Sequence, residues 1–153
     1  MKTIIINYGA GNIQSIKFAL QRLGVEAILS HDADEIRSAD KVIFPGVGEA
    51  SSAMKKLRES QLDSVIPTLK QPVLGICLGM QTLFESSDEY SPDADHAIEG
   101  LGVIPGKVRK FDETKMAVPH IGWNGRIHHQ ESPVLKYVAP EEDVYFVHSY
   151  FAP

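Results

Sequence analysis

The sequence contains a single cysteine, Cys77, so no disulfide can form within it, and the bridge frameworks that hold small secreted domains together are excluded. It also lacks any apolar run near the roughly 20 residues that a membrane-spanning helix needs. The apolar Ile4-Ile5-Ile6 at the start is cut off by Asn7, which is too early for a secretory signal. An excess of one charge is missing too: 15 basic and 20 acidic residues leave a net charge of −5, which offers no electrostatic footprint for nucleic acid or an anionic membrane. There are no internal repeats, no low-complexity tracts and no pair of histidines at a metal-binding helical spacing. What remains is a globular, cytoplasmic chain of 153 residues that calls for no metal, no cofactor, no nucleic acid and no membrane.

The first half alternates apolar β-branched runs with helical patterns. Residues 3–7 read as a strand buried on both faces, followed by the turn Tyr8-Gly9-Ala10-Gly11-Asn12 and a helix over 13–23 that Gly24 stops. Val25–Leu29 and Lys41–Phe44 are further strands, with at most a short helix over Asp34–Ser38 between them. A helix over 49–59 with apolar Ala53, Met54 and Leu57, and a second helical piece over 61–69, lead to a fourth strand, Pro72–Ile76. Helix is expected to resume over Leu78–Glu85. This alternation predicts a doubly wound, mostly parallel sheet with helices on both faces. Beyond it, residues 86–99 are polar and turn-rich around Ser91-Pro92-Asp93. The runs 101–104, 107–111, 126–129 and 144–150 suggest added antiparallel strands, with no helix of normal length after 100. The whole reads as one domain. A strong strand that ends three residues before Pro153 leads us to expect a piece of a longer protein whose C-terminal part is missing.

Chemistry concentrates in Gly75-Ile76-Cys77-Leu78-Gly79-Met80-Gln81. An apolar strand enters a Gly-x-Cys-x-Gly turn and a helix leaves it, which is the thiol form of the nucleophile elbow. Such a turn forces its central residue into a strained conformation, and the flanking glycines remove side chains that would clash. It lifts the sulfur over the carboxyl edge of the sheet, places it at a helix start that favours thiolate, and aims the Leu78 N–H at the oxygen of an attacked carbonyl. A lone cysteine is commonly a small buried hydrophobe. The strand–elbow–helix context points instead to a nucleophile.

A second glycine turn, Pro45-Gly46-Val47-Gly48, also follows a strand and precedes a helix, so its N–H groups are expected on the same sheet edge, where they could complete an oxyanion hole. The alternative is a tight turn and no more. The Tyr8–Asn12 turn has the first two glycines of a dinucleotide loop, but Gln14 stands where the third belongs, and NAD binding is rejected. Of the six histidines, His31 and His96 lie in polar surroundings, and His128 and His129 alternate on a short run. His120 and His148 are the better site candidates.

With these residues in view, the elbow GICLGMQ, the turn PGVG and the segment VHSY resemble the triad-type (class I) glutamine amidotransferases. The opening INYGAGN and the segment Pro119–Asn124, PHIGWN, resemble more narrowly the glutaminase subunits of imidazole glycerol phosphate synthases, of histidine biosynthesis. The resemblance extends over residues 4–152. It implies hydrolysis of L-glutamine to glutamate and ammonia through a Cys77 thioester, with ammonia passed to a cyclase subunit built as a (β/α)₈ barrel. By the same resemblance, Val47, Gly48 and Leu78 hold the oxyanion; Gly46, Gln81, Ser149 and Tyr150 hold the glutamine; and Asn12, His120, Trp123 and Asn124 lie toward the partner. The family places its catalytic His and Glu in a His-Pro-Glu segment after the HSY strand. No His-Pro-Glu occurs in this sequence, His148 does not match that histidine, and no residue here is assigned the base. The 153 residues alone are therefore expected to be a poor glutaminase. Two alternatives compete: another triad-type amidotransferase, against which PHIGWN argues, and a non-catalytic flavodoxin-like scaffold that keeps the elbow.

Overall fold

Thr3-Ile4-Ile5-Ile6 form β1 (Thr3–Ile6), and all four residues are buried, as a β-branched strand covered on both faces should be. In the computed structural model, which describes residues 1–89, 97–125, 133–139 and 141–153, β1 lies between β2 (Ala27–Ser30) and β3 (Lys41–Phe44). β4 (Val73–Gly75) pairs with β3. The order is β2-β1-β3-β4 and every pairing is parallel, with Ile5 opposite both Leu29 and Ile43. The expected strand 126–129, the Ser91-Pro92-Asp93 turn, and His96, His128 and His129 lie outside the described residues.

The chain crosses from β1 to β2 through α1 (Ile13–Arg22) in one direction. It returns through α2 (Ala33–Arg37) to β3, and continues through α3 (Ala50–Glu59) to β4. Right-handed crossovers put α1 on one face and α2 and α3 on the other, so the sheet is doubly wound as expected. Ile4, Ile6, Val42 and Phe44 form one core with Ile36 of α2 and Ala53, Met54 and Leu57 of α3. α1 contributes no buried residue and covers the opposite face with half-buried ones. Local chemistry sets the helix ends. The Asn12 side chain accepts from Ser15 N–H (3.2 Å) and that of Asp32 from Glu35 N–H (2.8 Å), while Gly24 takes a φ of +68° after α1.

Two helices expected from apolar spacing are shorter than their pattern. In 61–69 only Ile66–Thr68 forms a 3₁₀ turn, although Leu62, Val65 and Ile66 are buried as a helix would bury them. Pro67 has no N–H to extend a ladder and restricts the residue before it. Leu78–Glu85 becomes a single turn, α4 (Leu78–Gln81), followed by strand β5 (Phe84–Ser87). The carbonyls of Thr82, Leu83 and Phe84 accept from Leu101, Val103, Ile104 and Gly102 N–H groups at 2.8 to 3.1 Å, so a segment distant in sequence draws this backbone into a sheet.

β5 pairs antiparallel with β6 (Ile98–Glu99) and parallel with β7 (Ile104–Lys110), so the added strand region is not purely antiparallel. Of the expected run 101–104 only Ile104 enters a strand, β7, which goes on to take in residues 107–110 of the run 107–111. The chain divides into two compact units, Met1–Arg109 with Ala152–Pro153 and Lys110–Phe151. The second unit contains the antiparallel pair β8 (His120–Asn124) and β9 (Val144–His148), with His120 opposite His148 and Trp123 opposite Tyr145. β10 (Tyr150–Phe151) follows, and Pro133–Leu135 is a 3₁₀ turn. No helix among the described residues is long and apolar enough to cross a membrane.

Candidate active site

Cys77 stands between β4 and α4 with φ +53° and ψ −118°, a conformation that only glycine adopts without strain. It is the free thiol of the chain, and it is exposed. The neighbouring glycines are required by space. A Cβ on Gly75 would stand 2.6 Å from Met80 Cα, and one on Gly79 would stand 2.1 Å from the Phe44 carbonyl oxygen. The elbow is also tied to β3, because Ile76 N–H donates to that same carbonyl (2.9 Å). Within the turn, Gly79 N–H donates to the Ile76 carbonyl, and Met80 and Gln81 N–H donate to the Cys77 carbonyl, at 3.0 to 3.1 Å. Among the described residues the first N–H of the turn, that of Leu78, has no acceptor. Helix N-termini leave such donors for a ligand. With only one helical turn behind it, the sulfur gains far less from a helix dipole than the longer helix expected here would give.

The turn Pro45–Gly48 lies directly against the elbow. A Cβ at Gly46 would come within 2.4 Å of Gly79 N and 2.8 Å of Leu78 C, so the two backbones touch. Val47 and Gly48 are exposed, and Gly48 has φ +97°. The third turn, after β1, closes on the same place. Gly11 approaches the Pro45 ring so nearly that a Cβ there would meet Pro45 Cβ at 2.8 Å. The Tyr8 hydroxyl donates to the Pro45 carbonyl (2.8 Å), and Lys56 Nζ from α3 donates to the Gly9 carbonyl (2.8 Å). Strand order reverses at β1, so these turns line the crevice where open parallel sheets bind ligands.

Two titratable groups bear on this edge. Burial pushes the Tyr8 phenol up to about 12, and the charge of a Cys77 thiolate adds to that effect. Glu89, after β5, accepts from Ala50 N–H at the start of α3, which has no capping side chain of its own. Burial raises the Glu89 carboxyl above its ordinary value, the hydrogen bond from Ala50 opposes this, and the charge of Glu49 adds to the rise. Neither residue was expected from the sequence. Tyr8 stands in a turn weighed as a nucleotide loop and placed, by resemblance, toward the partner, and Glu89 in a polar stretch without periodicity.

Residues 4–153 match the family model described as glutamine amidotransferase class-I. The chain belongs to this family. Relatives of this amidotransferase include the imidazole glycerol phosphate synthase subunit HisH of Bacteroides fragilis strain YCH46, 48% identical over 100% of this chain and 76% of the relative. The subunit HisH 1 of Vibrio vulnificus strain YJ016 is 42% identical over 99% of this chain and 74% of the relative. A crystal structure of a glutamine amidotransferase shares the fold with a TM-score of 0.62 at 21% identity, covering 80% of this chain and 62% of that one.

Of the amidotransferase's expected site residues, the first unit brings together Cys77, Gly46, Val47, Gly48, Leu78 and Gln81, with Gln81 half-buried one turn beyond the sulfur. Asn12 caps α1 on the neighbouring turn. The others lie in the second unit. There, His148 donates from Nδ1 to the Tyr150 carbonyl (2.9 Å), and its Nε2 lies 3.2 Å from His120 Nδ1. His120 Nε2 lies 2.9 Å from Asn124 Oδ1. Phe111 stacks on Phe151 (4.7 Å) and sets its edge to both imidazoles, and its N–H donates to the Ser149 carbonyl (3.0 Å). On the other side of this ribbon, Ile121, Trp123, Tyr145 and Val147 are all more than half exposed, and Trp123 packs edge-on against Tyr145 (5.4 Å).

Proposed function

We propose that the chain is the glutaminase subunit of an imidazole glycerol phosphate synthase in histidine biosynthesis, working in the cytoplasm. The observation that carries this is the strained, exposed Cys77 at φ +53° with the Gly46 turn pressed against its elbow. The names of the relatives support the choice of synthase. In this reading the Cys77 thiolate attacks the side-chain carboxamide carbon of L-glutamine, and the carbonyl electrons move onto oxygen. The Leu78 N–H and the N–H groups of Val47 and Gly48 stabilise that oxyanion. Gly46, Gln81, Ser149 and Tyr150 hold the substrate. Collapse of the tetrahedral adduct breaks the C–N bond, and ammonia leaves with a proton. Water then hydrolyses the thioester to glutamate. The general base is assigned to no residue of this sequence.

Ammonia passes to a cyclase subunit built as a (β/α)₈ barrel, which uses it to form imidazole glycerol phosphate and an aminoimidazole ribotide. Asn12, His120, Trp123 and Asn124 lie toward that partner, Trp123 on the exposed side of the β8–β9 ribbon and His120 and Asn124 on its other side. The test is alkylation of Cys77 by a glutamine-like electrophile, together with ammonia release from glutamine in the presence of the cyclase and its nucleotide substrate. Glutamine should protect the thiol, and ammonia release should depend on the partner. Labelling that glutamine leaves unchanged, with no ammonia formed, would sink the reading.

A further inference from the structure

The Pro45–Gly48 turn is held firmly at its two ends and loosely in the middle. Tyr8 is 5% exposed, packs its ring 5.6 Å from that of Phe44, and donates its hydroxyl to the Pro45 carbonyl. That carbonyl belongs to the peptide whose N–H is Gly46, so the bond fixes the plane in which the turn begins. Proline locks its own φ, and Gly46 is pinned by the backbone of Gly79. At the far end, Glu89 takes the Ala50 N–H. Between these anchors Val47 and Gly48 are exposed, and a Cβ built on Gly48 meets nothing within 4 Å. The direction of their N–H groups therefore depends on how the ends are held.

We propose that Tyr8 is a positioning residue of the glutaminase site: its hydroxyl holds the Pro45–Gly46 peptide so that the Val47 and Gly48 N–H groups meet the oxyanion formed at Cys77. This rests on the function proposed above. The phenol suits the task because, with its proton held up to about 12, it remains a neutral donor throughout the working pH range, even beside a thiolate. Tyr8 acts through the turn, by the bond to the Pro45 carbonyl.

Two reactions of Cys77 separate positioning from general support. Acylation by the γ-para-nitrophenyl ester of glutamate builds an oxyanion and needs no acid for its leaving group, whereas alkylation by iodoacetamide builds none. Tyr8→Phe keeps the ring and its packing on Phe44. In complex with the cyclase partner, it should acylate at least about tenfold more slowly, as expected for a disturbed oxyanion donor. Its alkylation rate should stay within about twofold of wild type, and its KM for glutamine should change far less than kcat. Acylation as fast as wild type would overturn the proposal. So would alkylation altered in step with acylation, since the elbow as a whole would then have loosened. A wild-type Cys77 that the ester does not acylate, and that glutamine does not protect, would remove the glutaminase reading itself and this proposal with it.

Discussion

Gly46 and Gly79 touch through their backbones: a Cβ added at Gly46 would stand 2.4 Å from Gly79 N. This contact joins the turn after β3 to the elbow after β4, and neither atom belongs to a side chain that could move aside. Gly46→Ala must therefore push the two turns apart. The expected result is a loss of stability of about 1–3 kcal/mol, the usual cost of overpacking. Glutaminase activity should fall as well, by about a hundredfold, because the oxyanion donors shift with the turn. Thermal melting and ammonia release measure the two effects. Gly9, with φ +77° but no atom within 4 Å of its Cβ position, is the control: Gly9→Ala should cost about 1–2 kcal/mol through backbone strain alone and spare most activity.

Cys77 carries its strain whether or not it reacts. Alanine keeps a Cβ at φ +53° and so keeps the strain, whereas glycine relieves it. Both Cys77→Ala and Cys77→Gly should abolish ammonia production while leaving partner binding in place. Cys77→Gly should be the more stable of the two by about 1 kcal/mol, offset in part by the entropy that glycine gains in the unfolded chain. Denaturant titration of the pair checks this. Equal midpoints would mean that the elbow stores no strain at its nucleophile.

Glu89 gives a pH dependence whose sign can be worked out. Burial raises its carboxyl above the ordinary 4.5, so between that value and the raised one the folded chain binds more protons than the unfolded chain. This contribution to stability is present at low pH and is lost as the pH rises through the raised value. Glu89→Gln keeps an oxygen for the Ala50 N–H and removes the titration. The difference in melting temperature between variant and wild type should therefore grow in the variant's favour as the pH is raised across that window, then level off. A difference that shrank with rising pH would contradict the assignment.

Much of the first unit was legible because its signals are local. The β-branched run at Ile4–Ile6, the capping Asn12 and Asp32, the stop at Gly24, and the glycines around Cys77 each specify their own conformation. What escaped depends on distant partners. Phe84–Ser87 reads as helix or polar loop until the 100–104 backbone takes the carbonyls of residues 82–84. β8 does alternate, with Ile121 and Trp123 on one side and His120, Gly122 and Asn124 on the other, but its apolar side is the exposed one, so the alternation marks no core face. Its pairing with β9 supplies the order instead. The hydroxyl of Tyr8 and the carboxylate of Glu89 reach across 37 and 39 residues, and no spacing in the sequence announces either.

Trp123 separates a core aromatic from a docking one. It is 69% exposed and packs edge-on against Tyr145, in a row with Ile121 and Val147. A core tryptophan cut to alanine costs about 3–5 kcal/mol of stability. An exposed one costs little in the isolated chain, but at the centre of an interface its loss weakens binding by about 2 kcal/mol or more. Trp123→Ala should therefore melt close to wild type and bind the cyclase partner at least about thirtyfold more weakly, the fold-change equivalent of that energy. Titration calorimetry on the complex, beside melting of the free chain, reads both. A variant that binds normally would move the partner surface away from this face of the β8–β9 ribbon.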